Sequence, residues 1–201
     1  MIRRWLRTLW SGEEDVSRRL IVGLGNPGRK YEGTRHNIGF DVLRRLGERY
    51  RLSLTQKKFS GVFTTGSVAG EDVVLVEPHT FMNKSGKSVQ AARQFYSVDA
   101  EDLIVLHDEI DLEPGTIRIK EGGGHGGHNG LRDIISRTGD RDFVRIRLGV
   151  GRPEHGDVTN HVLSRFSGSE RDLIAEMVED ACDAIETVLT DGVSQAQNRF
   201  H

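Results

Sequence analysis

The sequence predicts an α/β protein, a single-domain three-layer α/β/α sandwich around a mixed, mostly parallel twisted sheet. Two apolar runs without charges, residues 20–24 and 103–106, are typical of strands that are buried on both faces of a sheet. Segments with helical periodicity lie between and after them. Strands that alternate with helices in this way form one sheet with helices packed on both faces.

The first half of the chain supplies a helix, a hairpin and a second helix. Apolar residues recur at helical spacing over residues 37–50, with charged residues on the opposite face. Residues 61–68 and 73–77 flank a Gly-Glu-Asp turn and predict a β-hairpin, which makes the sheet mixed. A loop at residues 80–86 precedes a helix whose pattern places Phe95 against the core.

The second half adds two strands and a long helix. Residues 116–120 predict a strand, and residues 143–150 alternate apolar positions with Arg145 and Arg147, which predicts an amphipathic strand with a basic face. Ser169 is a candidate N-cap for a long helix with a continuous apolar stripe. This helix is expected to cover one face of the sheet.

The fold is expected to span residues 20–201, behind an N-terminal extension at residues 1–19. The extension is rich in arginine but also carries Glu13, Glu14 and Asp15, which argue against a mitochondrial transit peptide. An amphipathic arm and a disordered tail are the alternatives. Since the sequence shows no membrane-length apolar run and no secretory signal pattern, we expect a soluble, cytoplasmic protein.

Charge is unevenly distributed along the chain. Residues 115–152 contain eight Lys or Arg and four Asp or Glu, whereas residues 153–201 contain three and ten. A local basic patch on a protein of net charge -2 favours a polyanionic ligand bound at one site. Solvated helix faces are the alternative interpretation for any single charge in this region.

A dinucleotide-binding loop is the first site class that the sequence argues against. Gly23, Gly25 and Gly28 have the required spacing after a strand. That motif also needs a helix that begins at the glycines, and residues 29–35 have no apolar period. We therefore expect no nicotinamide or flavin cofactor.

The most glycine-dense passage, residues 121–129, also lacks the signature of a known cofactor site. No Lys followed by Ser or Thr comes after its last glycine, so it is not a Walker loop. His125 and His128 have no third ligand at suitable spacing, and a zinc site needs three or four. A mobile backbone, or one that lies close to a ligand, is the expected role, and no metal is expected.

Polar side chains at strand ends are the remaining candidates for chemistry. His36 beside Asp108 would be a general base oriented by a carboxylate. Asn26, Asn83 and Asn129 offer amide donors and acceptors suited to a peptide or a carbonyl group. A partly buried histidine and turn asparagines are the ordinary alternatives, and spacing alone leaves both interpretations open.

At these residues the sequence closely resembles the bacterial peptidyl-tRNA hydrolase family. Four motifs occur in order and extend the resemblance over nearly the whole chain after the extension. They are GLGNPGRKYEGTRHNIGF at 23–40, FMNKSG at 81–86, HDEIDLEPG at 107–115 and GGGHGGHNGLRDII at 122–135. The resemblance implies a single α/β/α domain.

The resemblance also implies an activity, namely hydrolysis of the ester between a peptide and the terminal ribose of tRNA. Its chemistry would use His36 paired with Asp108 as the base for water, Asn26 to position the ester, and no metal or cofactor. This activity recycles tRNA from peptidyl-tRNA released by stalled ribosomes. The residues that match the family's substrate contacts are Tyr31, Met82, Asn83, His128 and Asn129.

A basic clamp on the tRNA acceptor arm is the last feature that the resemblance implies. The matching residues are Arg118, Lys120, Arg132 and Arg147, in line with the basic bias of residues 115–152. The resemblance favours a monomer that binds the acceptor arm and 3′ end of peptidyl-tRNA. Binding to a membrane is not expected. A non-catalytic RNA-binding relative with the same fold, of the splicing-factor type, is the alternative.

Overall fold

A computed structural model describes residues 18–153 and 155–201 as one seven-stranded sheet with helices on both faces. The strands are β1 (Arg19–Gly23), β2 (Gln56–Lys58), β3 (Gly61–Val68), β4 (Glu71–Pro78), β5 (Leu103–Glu109), β6 (Ile117–Glu121) and β7 (Val144–Gly149). The α-helices are α1 (Ile38–Arg49), α2 (Ser85–Tyr96), α3 (Asn129–Thr138), α4 (Val158–Val162), α5 (Arg171–Thr190) and α6 (Val193–Phe200). Short 3₁₀ turns at Arg29–Tyr31, Arg35–Asn37, Met82–Lys84 and Ala100–Asp102 connect them.

The strand order confirms the predicted mixed sheet. It is β2-β3-β4-β1-β5-β7-β6, and the four central strands β4, β1, β5 and β7 run parallel to one another. The hairpin of β3 and β4 and the edge strands β2 and β6 are antiparallel. Because the four parallel strands point the same way, their carboxyl ends meet at one edge of the sheet.

Two apolar cores lie on the two faces of the sheet and produce the three predicted layers. Ile21, Leu75 and Ile104 belong to the core that α1 and α5 cover. Val22, Val76 and Val105 belong to the core that α2 and α3 cover. Adjacent strand residues alternate between the cores, as expected for strands buried on both sides.

Helix α1 packs unusually close to β1, and two glycines make this possible. A Cβ atom on Gly23 would lie 2.3 Å from the carbonyl oxygen of Gly39. A Cβ atom on Gly39 would lie 2.5 Å from the carbonyl oxygen of Leu106 and 2.6 Å from the amide nitrogen of Leu24. The contact fixes the first turn of α1, and the 3₁₀ turn that precedes it, against the ends of β1 and β5.

The structure also corrects several local predictions. Phe95 is 57% exposed, not inward, because the last turn of α2 passes the β2–β3 turn, where Phe95 meets Lys58 and Phe59. Ser169 is not the N-cap of α5, since Glu170 occupies that position and the Ser169 hydroxyl contacts Ser167. The sequence interpretation missed β2, α4 and α6, which are too short to show a clear period.

Most of the predicted extension, residues 1–17, lies outside the described residues. Arg18 forms an ion pair with Asp72, and Arg19 is the first residue of β1. None of the helices in the described ranges combines the length and the apolar character needed to cross a lipid bilayer.

The close contact of α1 with β1 and β5 predicts that Gly39→Ala destabilises the protein. In an ordinary helix this change is favourable, but the added methyl group would overlap main-chain atoms of Leu24 and Leu106. We expect the free energy of unfolding, measured by urea denaturation, to fall by about 1–3 kcal/mol. Gly168→Ala is the control, because a Cβ atom there meets nothing within 4 Å. Equal stability of the two variants would contradict the packing argument.

Candidate active site

Three loops at the carboxyl edge of the sheet converge on one cleft of about 530 Å³. The loop after β1 supplies Asn26, the segment after β4 supplies Met82 and Asn83, and the end of β5 supplies Asp108. The 3₁₀ turn before α1 adds His36. The adjacent strands β1 and β4 are followed by connections on opposite faces of the sheet, through α1 and α2, and the cleft forms where these connections separate, the usual ligand position in such sheets.

His36 and Asp108 are in direct contact, although 72 residues separate them. Nδ1 of His36 lies 2.8 Å and 2.9 Å from the two carboxylate oxygens of Asp108. An ionised carboxylate only accepts, so Nδ1 carries the proton and donates. The lone pair of a neutral His36 is therefore on Nε2, the nitrogen that remains for a ligand or for water.

His128 is a second donor to the same carboxylate. Its Nε2 lies 2.9 Å from Oδ1 of Asp108, and its Nδ1 accepts from the amides of Gly130 and Leu131 as the N-cap of α3. The cap leaves the lone pair on Nδ1 and the proton on Nε2. The start of α3 thus determines the tautomer of His128 and its donation to Asp108.

The three side chains also have the composition of a metal site, since their ligand atoms lie within 4.8 Å of one another. A cation would need the Nε2 lone pair of His128, which would move the ring proton to Nδ1. That proton would then face the amide donors of Gly130 and Leu131. The hydrogen bonds therefore favour two imidazole donors around Asp108 over coordination of a metal ion.

Burial and charge shift the pKa values of two neighbours in this centre. Burial alone would raise the pKa of Asp108, but His36 and His128 hold it well below its usual range. Burial lowers the pKa of His107 to about 3, and His128 contributes to the shift. Nδ1 of His107 lies 2.7 Å from the carbonyl oxygen of Asp108 and donates to it. Asp108 is thus ionised and His107 neutral at neutral pH.

The Asn26 side chain is oriented by main-chain contacts. Its Oδ1 accepts from the amide of Met82 at 2.8 Å, so its Nδ2 protons remain for a ligand in the cleft. The side chain of Asn37 accepts from the amide of Asn26 at 2.8 Å and donates to its carbonyl at 2.9 Å. Sequence reasoning missed Asn37, whose position next to His36 gave no signal of this role.

The remaining substrate candidates lie around the cleft. Asn83, Asn129 and the buried Met82 line it. The half-buried Tyr31 is outside the lining, and its ring packs edge-on against Phe81 at a centroid distance of 6.5 Å. Phe81 is 54% exposed and lines the cleft, yet the sequence interpretation did not single it out.

The opposite wall was also missed by sequence reasoning. It contains exposed apolar residues from α4 and the residue after it, Val158 and Leu163. Residues of such a short helix carry no periodic pattern, so only the folded chain shows that they face the catalytic candidates. They add apolar surface to a cleft whose other wall is rich in amides.

The predicted basic residues lie on β6, β7 and α3, and two of them, Arg132 and Arg147, contact residues that line the cleft. Arg118 pairs with Arg147 across the two strands, and Lys120 is exposed on the same face. Arg147 also forms an ion pair with Glu109, and Arg132 donates to Asn129 at 2.9 Å. The set forms a basic surface at the β6 edge, on the face that carries α2 and α3.

Arg145 lies on the predicted basic face of β7 but is buried. Arg145 is only 3% exposed, because the glycine-rich loop between β6 and α3, residues 122–128, covers it. Its guanidinium donates to the carbonyl oxygens of Gly123 and Gly124 and lies 4.7 Å from the ring centroid of Phe143. Alternation in the sequence cannot show that a loop closes over one side of a strand.

Comparison with known proteins gives one consistent result. The family model described as peptidyl-tRNA hydrolase matches residues 20–201. A peptidyl-tRNA hydrolase of Trichlorobacter lovleyi is 51% identical over 182 residues, which cover 90% of this chain and 94% of the relative. One of Geobacter sp. strain M21 is 48% identical over 92% of this chain and 99% of its own length. The crystal structure of the Acinetobacter baumannii peptidyl-tRNA hydrolase has a TM-score of 0.87 at 41% identity, and the match covers 94% of this chain and 97% of that one.

The low pKa of His107 predicts a specific loss of stability in acid. In the unfolded chain His107 has the ordinary histidine pKa of about 6.5, whereas burial lowers its pKa in the folded protein to about 3. The contribution of the buried neutral imidazole to the free energy of unfolding is therefore complete above pH 6.5 and is lost as the pH falls toward 3. Between pH 7 and pH 5, we expect wild type to lose about 2 kcal/mol more unfolding free energy than His107→Gln, measured in urea.

His155→Gln is the control for this measurement, because His155 is an exposed histidine. Its stability should follow wild type over the same pH range. If His107→Gln also follows wild type, burial of a neutral imidazole at position 107 does not govern acid stability.

Proposed function

The chain belongs to the peptidyl-tRNA hydrolase family, and on that premise we propose that it hydrolyses the ester between a peptide and the terminal ribose of tRNA. The observation that carries the mechanism is the contact of His36 Nδ1 with Asp108 at 2.8 Å. This contact leaves Nε2 of His36 as a base within the cleft. The reaction recycles tRNA from peptidyl-tRNA released by stalled ribosomes.

His36 acts as the general base. Nε2 takes a proton from water as the oxygen attacks the ester carbonyl, and the ionised Asp108 stabilises the imidazolium that forms. The same proton then passes from Nε2 to the ribose oxygen as the ester bond breaks. The products are a peptide with a free carboxylate and tRNA with a free terminal hydroxyl group.

Asn26 stabilises charge on the carbonyl oxygen. With Oδ1 held by the amide of Met82, its Nδ2 group donates to the oxygen that becomes negative in the tetrahedral intermediate. The paired main-chain hydrogen bonds of Asn37 hold Asn26 in place before substrate arrives. Such a preorganised donor contributes about a hundred- to a thousandfold in turnover.

The amide-rich wall of the cleft binds the peptide. Asn83 and Asn129 offer hydrogen bonds to peptide groups next to the buried Met82, with Tyr31 and His128 at the sides of the site. These contacts favour an N-blocked aminoacyl group over a free amine, so aminoacyl-tRNA ready for translation is spared. Selectivity therefore arises from hydrogen bonding to the first peptide bond.

The basic surface at the β6 edge binds the phosphates of the tRNA acceptor arm. Arg118, Lys120, Arg132 and Arg147 lie beside the cleft and neutralise phosphate charge without reading sequence. The enzyme thus acts on many tRNAs, as a monomer in the cytoplasm. The alternative of a non-catalytic RNA-binding relative is not supported by the comparisons, in which the similar curated proteins are named as hydrolases.

The decisive experiment measures hydrolysis of an N-blocked aminoacyl-tRNA by wild type, His36→Ala and Asn26→Asp. We expect His36→Ala to lose at least about a hundredfold in kcat through loss of the base. Asn26→Asp keeps the acceptor for the amide of Met82 but removes the donor, so it loses a similar factor. Deacylated tRNA should bind all three proteins with similar affinity.

His79→Ala is the matched control, because His79 contacts Glu77 and lies outside the cleft lining. It should keep wild-type turnover. A wild-type protein that binds tRNA but leaves the ester intact would refute the enzyme proposal and support the binding-module alternative.

A second test concerns the basic surface. Lys120→Met removes one phosphate contact, so the slope of log Kobs against log salt for deacylated tRNA should decrease in magnitude by about 0.7–0.9. Lys57→Met is the control, since Lys57 is an exposed lysine on β2 at the other edge of the sheet. Equal salt slopes for the two variants would show that the acceptor arm does not reach β6.

A further inference from the structure

The glycine-rich loop between β6 and α3 is held by a buried cation. Arg145 points from β7 into the underside of this loop and donates to two successive carbonyl oxygens, those of Gly123 and Gly124. A third contact of 3.4 Å reaches the carbonyl oxygen of Arg141. Three main-chain carbonyls thus surround one guanidinium.

The charge of Arg145 has no carboxylate partner within residues 18–153 and 155–201. Its contacts there are the carbonyl groups and the ring of Phe143. Burial, together with the neighbouring charge of Arg147, lowers the pKa of Arg145. Placing an unpaired cation here is costly, and main-chain carbonyl dipoles offset only part of that cost. Core packing alone would be served better by an apolar residue, so a positional role is the stronger interpretation.

The loop needs such an anchor because its glycines leave the backbone many conformations. Gly122, Gly123, Gly126 and Gly127 have positive φ values of 69°, 100°, 55° and 86°. Its own main chain fixes only the ends, through donation from Gly122 to Phe143 and from His128 to His125. Arg145 grips the segment between these ends, at Gly123 and Gly124.

The loop leads directly to groups of the candidate active site. Gly126 and Gly127 line the cleft, and the next residue is His128, which donates to Asp108. Asn129 follows as the first residue of α3. A shift of the backbone at Gly124 would therefore displace both His128 and Asn129.

We propose that Arg145 is a positioning residue that holds the glycine-rich loop, and with it His128 and Asn129, in register with the active site. This inference rests on the proposed hydrolase function for its kinetic consequence. The fork geometry is essential to it, because one guanidinium donates to two carbonyl groups at once, whereas a lysine ammonium on a flexible stem is a point charge. Positive charge alone is not sufficient.

The test compares Arg145→Lys and Arg145→Met with Arg141→Met, an exposed arginine in the same region. Kinetics use an N-blocked aminoacyl-tRNA, and amide hydrogen exchange read by mass spectrometry follows residues 122–128. For Arg145→Lys, we expect kcat to fall about tenfold or more with KM changed less than about threefold, since misplaced catalytic groups affect turnover more than binding. Exchange in the loop should accelerate about tenfold, while the helices α1 and α5 keep wild-type protection.

Arg141→Met should match wild type in every readout. Wild-type kcat and loop exchange in Arg145→Lys would overturn the proposal, and so would an effect confined to KM and tRNA affinity, which would make Arg145 a phosphate contact. If Arg145→Met does not fold, the lysine variant decides the question. Hydrogen exchange reports on the loop even if no ester hydrolysis is found. Failure of the proposed role of Arg145 can therefore be distinguished from failure of the proposed hydrolase function.

Discussion

Asp108 is the point on which the arrangement of the cleft depends. Its carboxylate accepts from His36 on one side and from His128 on the other, so a single buried charge orients two imidazoles. Each ring is restrained separately as well, His36 by the turn before α1 and His128 by the first amides of α3. Loss of the negative charge on Asp108 would leave the two imidazole N–H groups without a charged acceptor.

The position of Asp108 is itself a result of close packing between helix and sheet. Asp108 lies near the end of β5, and the carbonyl oxygen of Leu106 on that strand abuts Gly39 of α1. Only a residue without a side chain lets the helix approach this closely. The distance between His36 and Asp108 therefore depends on the close backbone packing of Gly39 against Leu106, in which no polar side chain takes part.

The layered fold was accessible from the sequence because its causes are local. Apolar runs such as residues 20–24 read as buried strands, and period 3.6 revealed α1, α2 and α5. Errors arose where a neighbour distant in the chain decides the outcome. Phe95 lies beyond the core at the end of α2, and Arg145 is covered by a loop from another part of the sequence.

The candidate site was less predictable from the sequence than the fold. Residue types and strand ends pointed to His36, Asp108 and Asn26, but spacing alone left ordinary roles open, and the family resemblance supplied the assignment. The structure brings these side chains to one cleft. Asn37 and the α4 wall could not be predicted, because their importance lies in contacts with main-chain atoms and in shape. No residue pattern encodes either property.

The cross-strand pairs of β6 and β7 have a consequence for the protein as a whole. Arg118 faces Arg147 and Lys120 faces Arg145, so two pairs of like charges lie side by side in the sheet. Such pairs repel each other and weaken this edge in the free protein. A bound polyanion relieves the repulsion, and a ligand that binds only the native state shifts the folding equilibrium toward it. On the proposed function, tRNA bound at this edge acts as a stabilising counterion, and the free enzyme is the less stable form.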